Sequence, residues 1–165
     1  MEQLFIQQNT ERKEVKSCVF TGHRVLEIDF SARKLKKEIK NAIEKGVETF
    51  YNGMAMGFDL IAAETVLVLK KKYPQIKLVA CVPCYGQEKN FSDGDKKRYA
   101  EILKKADQTA VLSQHYYRGC MHVRDKYMAD RADMMIAYCK KETGGTAFTV
   151  KYFQKNAPTA EIVFV

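Results

Sequence analysis

The stretch Val15-Lys16-Ser17-Cys18-Val19-Phe20-Thr21-Gly22-His23-Arg24 decides the fold of this 165-residue chain. Its first seven residues are mostly β-branched or apolar, which predicts a strand, and Gly22 predicts a tight turn directly after it. From residue 31 to 45 apolar side chains recur at helical spacing, and Gly46 is a natural stop for that helix. The chain therefore opens with a strand, a glycine turn and a helix.

The same alternation of short strand patterns and longer helix patterns continues along the chain. Further strands are predicted at residues 47–51, 76–82, 108–112, 134–139 and 161–165, and further helices at 58–73, 92–105, 123–131 and 146–155. Strands that alternate with helices favour parallel pairing, and apolar strands without alternation are typical of a sheet covered on both faces. The predicted fold class is α/β, a Rossmann-like, doubly wound and mostly parallel sheet with helices on both faces.

Length and composition indicate one domain. Hydrophobic residues make up 46% and charged residues 29%, as in ordinary globular proteins. We expect a single domain at residues 15–165 and an N-terminal arm or edge strand at residues 1–14. The longest uninterrupted apolar run has six residues, and the N-terminus lacks a secretory pattern, so we expect no membrane contact and a cytoplasmic location.

The net charge of +8 favours anionic partners, although many of the lysines lie in helical segments where they would simply face solvent. Five cysteines in a chain without a secretory signal argue against a disulfide framework. Cys81 and Cys84 form a C-x-x-C pair, for which a core cysteine and a loop thiol are favoured over a redox site. The three histidines are scattered, so we expect no metal site, and no cofactor is evident.

Three glycine-rich turns follow predicted strands: residues 21–24, 52–59 and 142–146. In open α/β sheets ligands bind beyond the carboxyl ends of the strands, where these turns would meet. Glycines allow close approach of the backbone, and helix N-termini attract anions. With Arg24 and Arg124 nearby, the turns predict a phosphate or nucleotide site rather than simple tight turns. Neither a P-loop nor a G-x-G-x-x-G pattern is present, which disfavours a P-loop NTPase and an NAD-dependent hydride-transfer enzyme.

The three turns also resemble the motifs of a known family. Phe20-Thr21-Gly22-His23-Arg24, Gly53-Met54-Ala55-Met56-Gly57-Phe58-Asp59 and the pair Arg124-Asp125-Lys126-Tyr127-Met128 with Gly144-Gly145-Thr146 occur in the order of the YpsA/YoqJ-like family of the SLOG superfamily. That resemblance implies a nucleotide-type ligand and allows a homodimer. The candidate ligand-binding residues are Thr21, Gly22, His23, Arg24, Gly53, Met54, Ala55, Gly57, Asp59, Arg124, Gly144, Gly145 and Thr146.

The superfamily includes phosphoribohydrolases of the LOG type and DNA-processing proteins that bind single-stranded DNA. The LOG-type loop carries two glutamates where this chain has Phe148 and Thr149. Phenylalanine cannot stabilise an oxocarbenium ion or activate water, which disfavours the hydrolase. The candidate catalytic residues are Arg124, Glu64 and Glu142. Either of the two glutamates could substitute for the missing carboxylates of the LOG-type loop.

Three functions therefore stand in order of preference. The first is a sensor or regulatory protein that binds a nucleotide or a nucleotide derivative. The second is a nucleoside 5′-monophosphate phosphoribohydrolase. The third is single-stranded nucleic-acid binding, for which Tyr116-Tyr117-Arg118 is the best local candidate, with a partly buried loop as the favoured alternative.

Overall fold

Six strands and five α-helices alternate along residues 14–165, the part of the chain that the computed structural model describes. The predicted arm or edge strand at residues 1–14 lies outside the described residues except for Glu14. The elements are β1 (Ser17–Gly22), α1 (Ala32–Glu44), β2 (Thr49–Asn52), α2 (Phe58–Lys70), β3 (Lys77–Val82), α3 (Asp93–Lys105), β4 (Gln108–Val111), α4 (Cys120–Ala129), β5 (Met134–Tyr138), α5 (Gly145–Asn156) and β6 (Ile162–Phe164).

The strands form one sheet in the order β4-β3-β2-β1-β5-β6, and every pairing is parallel. The central strand β1 pairs with β2 on one side and with β5 on the other, with Val19 opposite both Tyr51 and Met135. From β1 the chain first winds outward to β4 and then crosses to β5. The predicted Rossmann-like, doubly wound sheet is confirmed.

Helices cover both faces of the sheet because its strands are apolar on both sides. Phe20 of β1 packs with residues of α1, α2 and α3, such as Leu35 and Phe58. Its neighbour Val19 points to the opposite face and packs with residues of α4 and α5, such as Met128. The buried side of α2 belongs to the first of these two cores, whereas Val68 of the same helix is 53% exposed.

Two of the five α-helices of residues 14–165 start at a side-chain cap. Ser31 and Ser92 cap α1 and α3, because their hydroxyl oxygens accept hydrogen bonds from the backbone amides of Lys34 and Asp95, at 3.1 and 3.2 Å. Helix α4 begins at Cys120, three residues earlier than the sequence pattern predicts, directly after Gly119 in the left-handed region. No side chain caps α4, so its start carries no sequence signal.

Among the helices of residues 14–165, none is long and apolar enough to cross a bilayer.

Candidate functional site

A cleft of about 330 Å³ opens at the carboxyl ends of β1 and β5. The connections from these neighbouring strands leave toward opposite faces of the sheet, so a crevice forms between them. The cleft is lined by residues 20–24 of the β1 turn, by Ala55 and Asp59 beside the start of α2, by Met121, Arg124, Asp125 and Met128 of α4, and by Lys141, Thr143, Gly144, Gly145 and Thr146 at the start of α5.

Ten of the thirteen candidate ligand-binding residues line this cleft, and Gly53, Met54 and Gly57 do not. The three predicted glycine turns therefore meet at one edge of the sheet. Gly53, Met54 and Gly57 lie close to lining residues in the chain and belong to the turn between β2 and α2. Met54 is fully buried with a φ of 61°, and its amide donates to the side-chain oxygen of Asn52 at 2.9 Å.

The turn glycines mainly allow parts of the protein to approach one another. A Cβ on Gly22 would lie 2.3 Å from the ring of Phe58, and one on Gly57 would lie 2.2 Å from the carbonyl oxygen of Arg24. Gly57 also has a φ of 78°, which disfavours a side chain. The β1 turn thus packs directly on the start of α2, and protein atoms fill the space that a side chain at Gly22 or Gly57 would need.

Arg124 is a buried component of the cleft, only 5% exposed. Its Nε donates to Asp125 Oδ1 at 2.7 Å, and its Nη1 donates to the carbonyl oxygen of Gly53. A Cβ on Gly53 would lie 2.9 Å from the central carbon of the guanidinium, so this glycine makes room for Arg124. The ion pair of Arg124 with Asp125 is therefore a buried one rather than a surface pair.

Asp59 is the second buried charge-bearing residue of the cleft, at 6% exposure. Its Oδ2 accepts a hydrogen bond from the amide of Ala55 at 3.2 Å, whereas its Oδ1 has no hydrogen-bond partner among residues 14–165. Burial raises the pKa of Asp59 to about 7, although the positive charge of Arg124 acts in the opposite direction. A large share of Asp59 is therefore protonated at neutral pH.

The start of α5 supplies backbone donors to the same cleft. Gly144 has a φ of 98° and directly precedes the helix. The backbone amide of Phe148 donates a hydrogen bond to the carbonyl oxygen of Gly144 at 2.9 Å. The amides of the first turn are left without helical acceptors. Lys141 and the exposed Arg24 add positive charge at the rim. This side of the cleft is suited to an anion.

His23 is a neutral hydrogen-bond acceptor that joins two of the turns. Its Nε2 accepts from the backbone amide of Lys140 at 2.7 Å. Burial and the neighbouring charge of Lys141 lower the pKa of His23. The imidazole therefore holds the β1 turn against the loop after β5.

Neither of the two substitute carboxylates lines the cleft. Glu64 faces α3, where its Oε1 accepts from Arg98 Nε at 2.6 Å. Glu142 is exposed, and its carbonyl accepts from Lys151 Nζ at 2.7 Å. Substitution of either side chain for the missing glutamates stays a prediction from the sequence.

The structure shows what occupies the two missing glutamate positions. The ring of Phe148 packs edge-to-face on His122, with ring centres 4.2 Å apart. Thr149 is buried, and its hydroxyl lies 3.1 Å from Asp125 Oδ2 and 2.9 Å from the carbonyl of Gly145. A linear pattern does not reveal this contact, because it joins Asp125 to a threonine 24 residues later.

The two cysteines of the C-x-x-C pair, Cys81 and Cys84, lack the lowered thiol pKa of a redox-active pair. Cys81 is buried in β3, and burial raises the pKa of its thiol to about 12. Burial also raises the pKa of Cys84, whose thiol neighbour is Cys120 at the start of α4. The core cysteine and the loop thiol are confirmed, and both thiols are poor nucleophiles.

The order of strands and the glycine turns at the switch point define a Rossmann-like α/β protein with a cleft at the carboxyl ends of its central strands. A sequence profile of the YpsA SLOG family matches residues 13–163. The chain belongs to this family. It is 27% identical over 154 residues to the protein YpsA of Bacillus subtilis, and the alignment covers 86% of each chain.

Two solved structures share the fold. DNA processing protein A from Streptococcus pneumoniae superposes with a TM-score of 0.65 at 17% identity. The same protein from Helicobacter pylori, described for its single-stranded DNA binding mode, gives a TM-score of 0.65 at 16% identity. Each superposition covers 91% of this chain, which spans half of the Streptococcus chain and 65% of the Helicobacter chain.

Proposed function

We propose that this protein binds a nucleotide or a nucleotide derivative in the cleft, as a sensor or regulatory protein. The observation that carries the proposal is the meeting of three features in one 330 Å³ space: the free amides at the start of α5, the cations Arg24 and Lys141, and the glycine turn after β1. A phosphate group is the ligand chemistry that such a set favours.

The cleft has two chemically different sides, which fits a ligand with an anionic and a neutral part. The phosphate would lie at Gly144, Gly145 and Thr146. On the opposite side, a protonated Asp59 offers a hydroxyl group to an acceptor such as a ribose oxygen. The volume lies at the lower end of the ~300–1,000 Å³ range of ligand pockets, which favours a mononucleotide.

A thermal-shift screen tests the proposal with AMP, cyclic nucleotides, NAD and ADP-ribose. A ligand at ~100 times its dissociation constant adds ~2.7 kcal/mol to the free energy of unfolding. For a chain of this length that corresponds to a rise in Tm of roughly 5–11 °C. Such a shift with one compound of the panel is the expected result.

Two arginine variants locate the binding. Arg24→Ala removes an exposed cation at the rim of the cleft and should weaken binding at least tenfold. Arg33→Ala removes an exposed cation from α1, outside the cleft, and should leave the affinity unchanged. Equal affinities in the two variants would show that the ligand binds elsewhere. Arg124→Ala should also weaken binding, with a loss of stability because Arg124 is buried.

Single-stranded nucleic acid is the second candidate partner, because one surface combines aromatic rings and cations. His122 and Lys126 of α4 lie one turn apart and face Phe148 and Tyr152 of α5; we call these four residues the α4–α5 seam. Lys126 Nζ lies 5.7 Å from the ring centre of Phe148 and 5.5 Å from that of Tyr152. Aromatic rings beside cations are the usual platform for single strands.

The loop before α4 offers further exposed rings, since Tyr116 and Tyr117 are 69% and 45% exposed and Arg118 follows them. Fluorescence anisotropy with a labelled 20-nucleotide oligothymidine at low and moderate salt tests the surface. We expect Tyr116→Ala and Lys126→Ala to weaken binding, and Lys71→Ala, an exposed lysine after α2, to have a small effect. An equal loss in all three would indicate unspecific attraction by the net charge.

A further inference from the structure

A groove runs between α2 and α3, and we call it the α2–α3 groove. It is lined by residues 64–71, at the end of α2, and by residues 97–105 of α3, and it has a volume of about 780 Å³. None of its lining residues belongs to the cleft at the sheet edge. At ~1.5 Å per residue each wall is roughly 10–12 Å long, which matches two to three turns of a third helix.

The floor of the α2–α3 groove is apolar. Leu67 and Ile102 pack on the core that covers this face of the sheet, and they also line the groove. Val68 lies beside Leu67 on α2 and is 53% exposed. Apolar area that is removed from water stabilises a complex in proportion to its size. The groove therefore offers apolar contact to a partner that can reach its floor.

Ion pairs hold the two walls of the groove together. Arg98 of α3 donates through Nε to Glu64 Oε1 of α2 at 2.6 Å and through Nη1 to Asp95 Oδ1 at 2.9 Å. At the other end of the groove, Lys70 of α2 pairs with Asp107, which follows α3. The groove is thus preformed, so a partner would not have to reorder its walls.

The rim of the groove is cationic. Five of its lining residues are lysine or arginine, and two are glutamate. Lys71, Lys97 and Lys105 are exposed and make no ion pair within residues 14–165. Lys97 and Lys105 lie about two turns apart on the α3 wall, and Lys71 ends the α2 wall. These three ammonium groups are available to the carboxylates of a partner.

Shape and charge together select one kind of occupant. Among the described residues, none that lines the groove is aromatic, so a nucleic-acid base has no ring on which to stack. A second copy of this chain would bring the same cationic rim against itself, and each copy carries a net charge of +8. A helix with an apolar face flanked by acids fits the floor and the rim at once.

We propose that the α2–α3 groove binds an acidic amphipathic helix of a partner protein. Apolar side chains at positions i, i+3 or i+4, and i+7 of that helix would cover the floor, and carboxylates beside them would face Lys71, Lys97 and Lys105. The charges set the orientation of the helix and the choice of partner. This inference needs no nucleotide in the cleft, so it can fail while the proposed function stands.

The probe is a labelled, helix-stabilised synthetic peptide with leucines along one face and glutamates on either side of them. Fluorescence anisotropy measures its binding to the whole protein at low and moderate salt. A second peptide has the same composition in an order that spreads the leucines around the helix. We expect the first peptide to bind at least about tenfold more tightly than the second, with an affinity that falls as salt rises.

Variants of exposed residues locate the binding. Val68→Asp places a carboxylate on the floor, and Lys71→Glu combined with Lys105→Glu reverses two charges of the rim; each should weaken binding at least about tenfold. The control combines Lys36→Glu with Lys37→Glu on α1, which makes the same change in net charge outside the groove and should weaken binding about twofold or less. Circular dichroism should show wild-type helix content in all of them.

The remaining outcomes would overturn the proposal. Equal binding of the two peptides, or an equal loss in the α1 control, would indicate unspecific attraction by the net charge. No binding of the first peptide at millimolar concentration would show that the groove takes no such helix. Sedimentation that reveals a dimer, lost in Val68→Asp, would assign the groove to a second copy. Oligothymidine binding that is lost with the two rim lysines and kept in the α1 control would assign it to nucleic acid.

Discussion

Replacing Asp59 by asparagine should stabilise the protein, and the gain should grow with pH. The amide side chain would keep an oxygen for the amide of Ala55 and have nearly the same volume, but it cannot ionise. The folded chain holds the pKa of Asp59 at about 7 instead of 3.8, mainly through burial. Each pKa unit corresponds to ~1.4 kcal/mol, so the buried carboxylate costs about 4 kcal/mol once it is fully ionised.

The pH range of this effect follows from proton linkage. Below pH 4 Asp59 is protonated in the folded and the unfolded chain, and its contribution to stability is fully present. Between about pH 4 and 7 the unfolded chain releases the proton that the folded chain retains, so stability falls as pH rises. Above that range both states are ionised and the loss is complete. About a third of the loss has occurred at pH 5, so the advantage of Asp59→Asn should grow by about 2–3 kcal/mol from pH 5 to pH 8.5.

Calorimetric melting of both proteins at pH 5 and pH 8.5 measures this difference. For a chain of this length the Tm advantage of Asp59→Asn should increase by roughly 5–10 °C between the two conditions. Glu64→Gln is the control, since it neutralises a partly exposed carboxylate of the same helix and removes only a surface ion pair, worth ~0–1 kcal/mol. A Tm advantage that is equal at both pH values, or larger at pH 5, would refute the protonated state of Asp59.

Three further predictions test the local structure. Gly57→Ala should lower the free energy of unfolding in urea by at least about 2 kcal/mol, because φ is 78° and the new Cβ would lie 2.2 Å from the Arg24 carbonyl oxygen. Gly94 lies in α3, where an added Cβ would enter open space, so Gly94→Ala should instead raise the free energy of unfolding by up to about 1 kcal/mol. Ser31→Ala should cost about 1 kcal/mol through loss of the cap of α1, and Ser31→Asp should restore most of it. A thiol reagent should label Cys139 first in the folded protein, since the other four cysteines are buried, and immediate labelling of two or more would contradict their burial.

The fold was predictable because local patterns and the rules of parallel sheets agree throughout the chain. Helices that follow apolar strands admit few arrangements, and the glycine turns then fall at one sheet edge. Ser92 could be recognised as a cap from its position before a charged amphipathic segment. The start of α4 could not, since Gly119 and Cys120 offer no capping side chain.

The position of the cleft could be predicted from the sequence, whereas the contacts of the residues around it could not. Glu64 was a reasonable candidate because α2 is apolar almost all round, so the pattern does not say which way a single acid points. The structure turns it toward Arg98 of α3. The glycines were assigned to ligand approach, whereas Gly53 makes room for Arg124 and Gly57 for the Arg24 carbonyl. Both contacts join residues that are far apart in sequence, which a linear pattern does not reveal.

The residues at positions 148 and 149 acquire a different meaning once their contacts are known. From the sequence alone, the absence of two glutamates speaks against hydrolysis. In the folded chain Thr149 lies within hydrogen-bond distance of a carboxylate one helix away, and Phe148 packs on His122 outside the cleft. A carboxylate at Asp125 with an ion-paired guanidinium is therefore present in the cleft, although no residue of α5 supplies it. The charges that converge in the cleft are set by the fold, and in this chain two carboxyl groups line it together with Arg124.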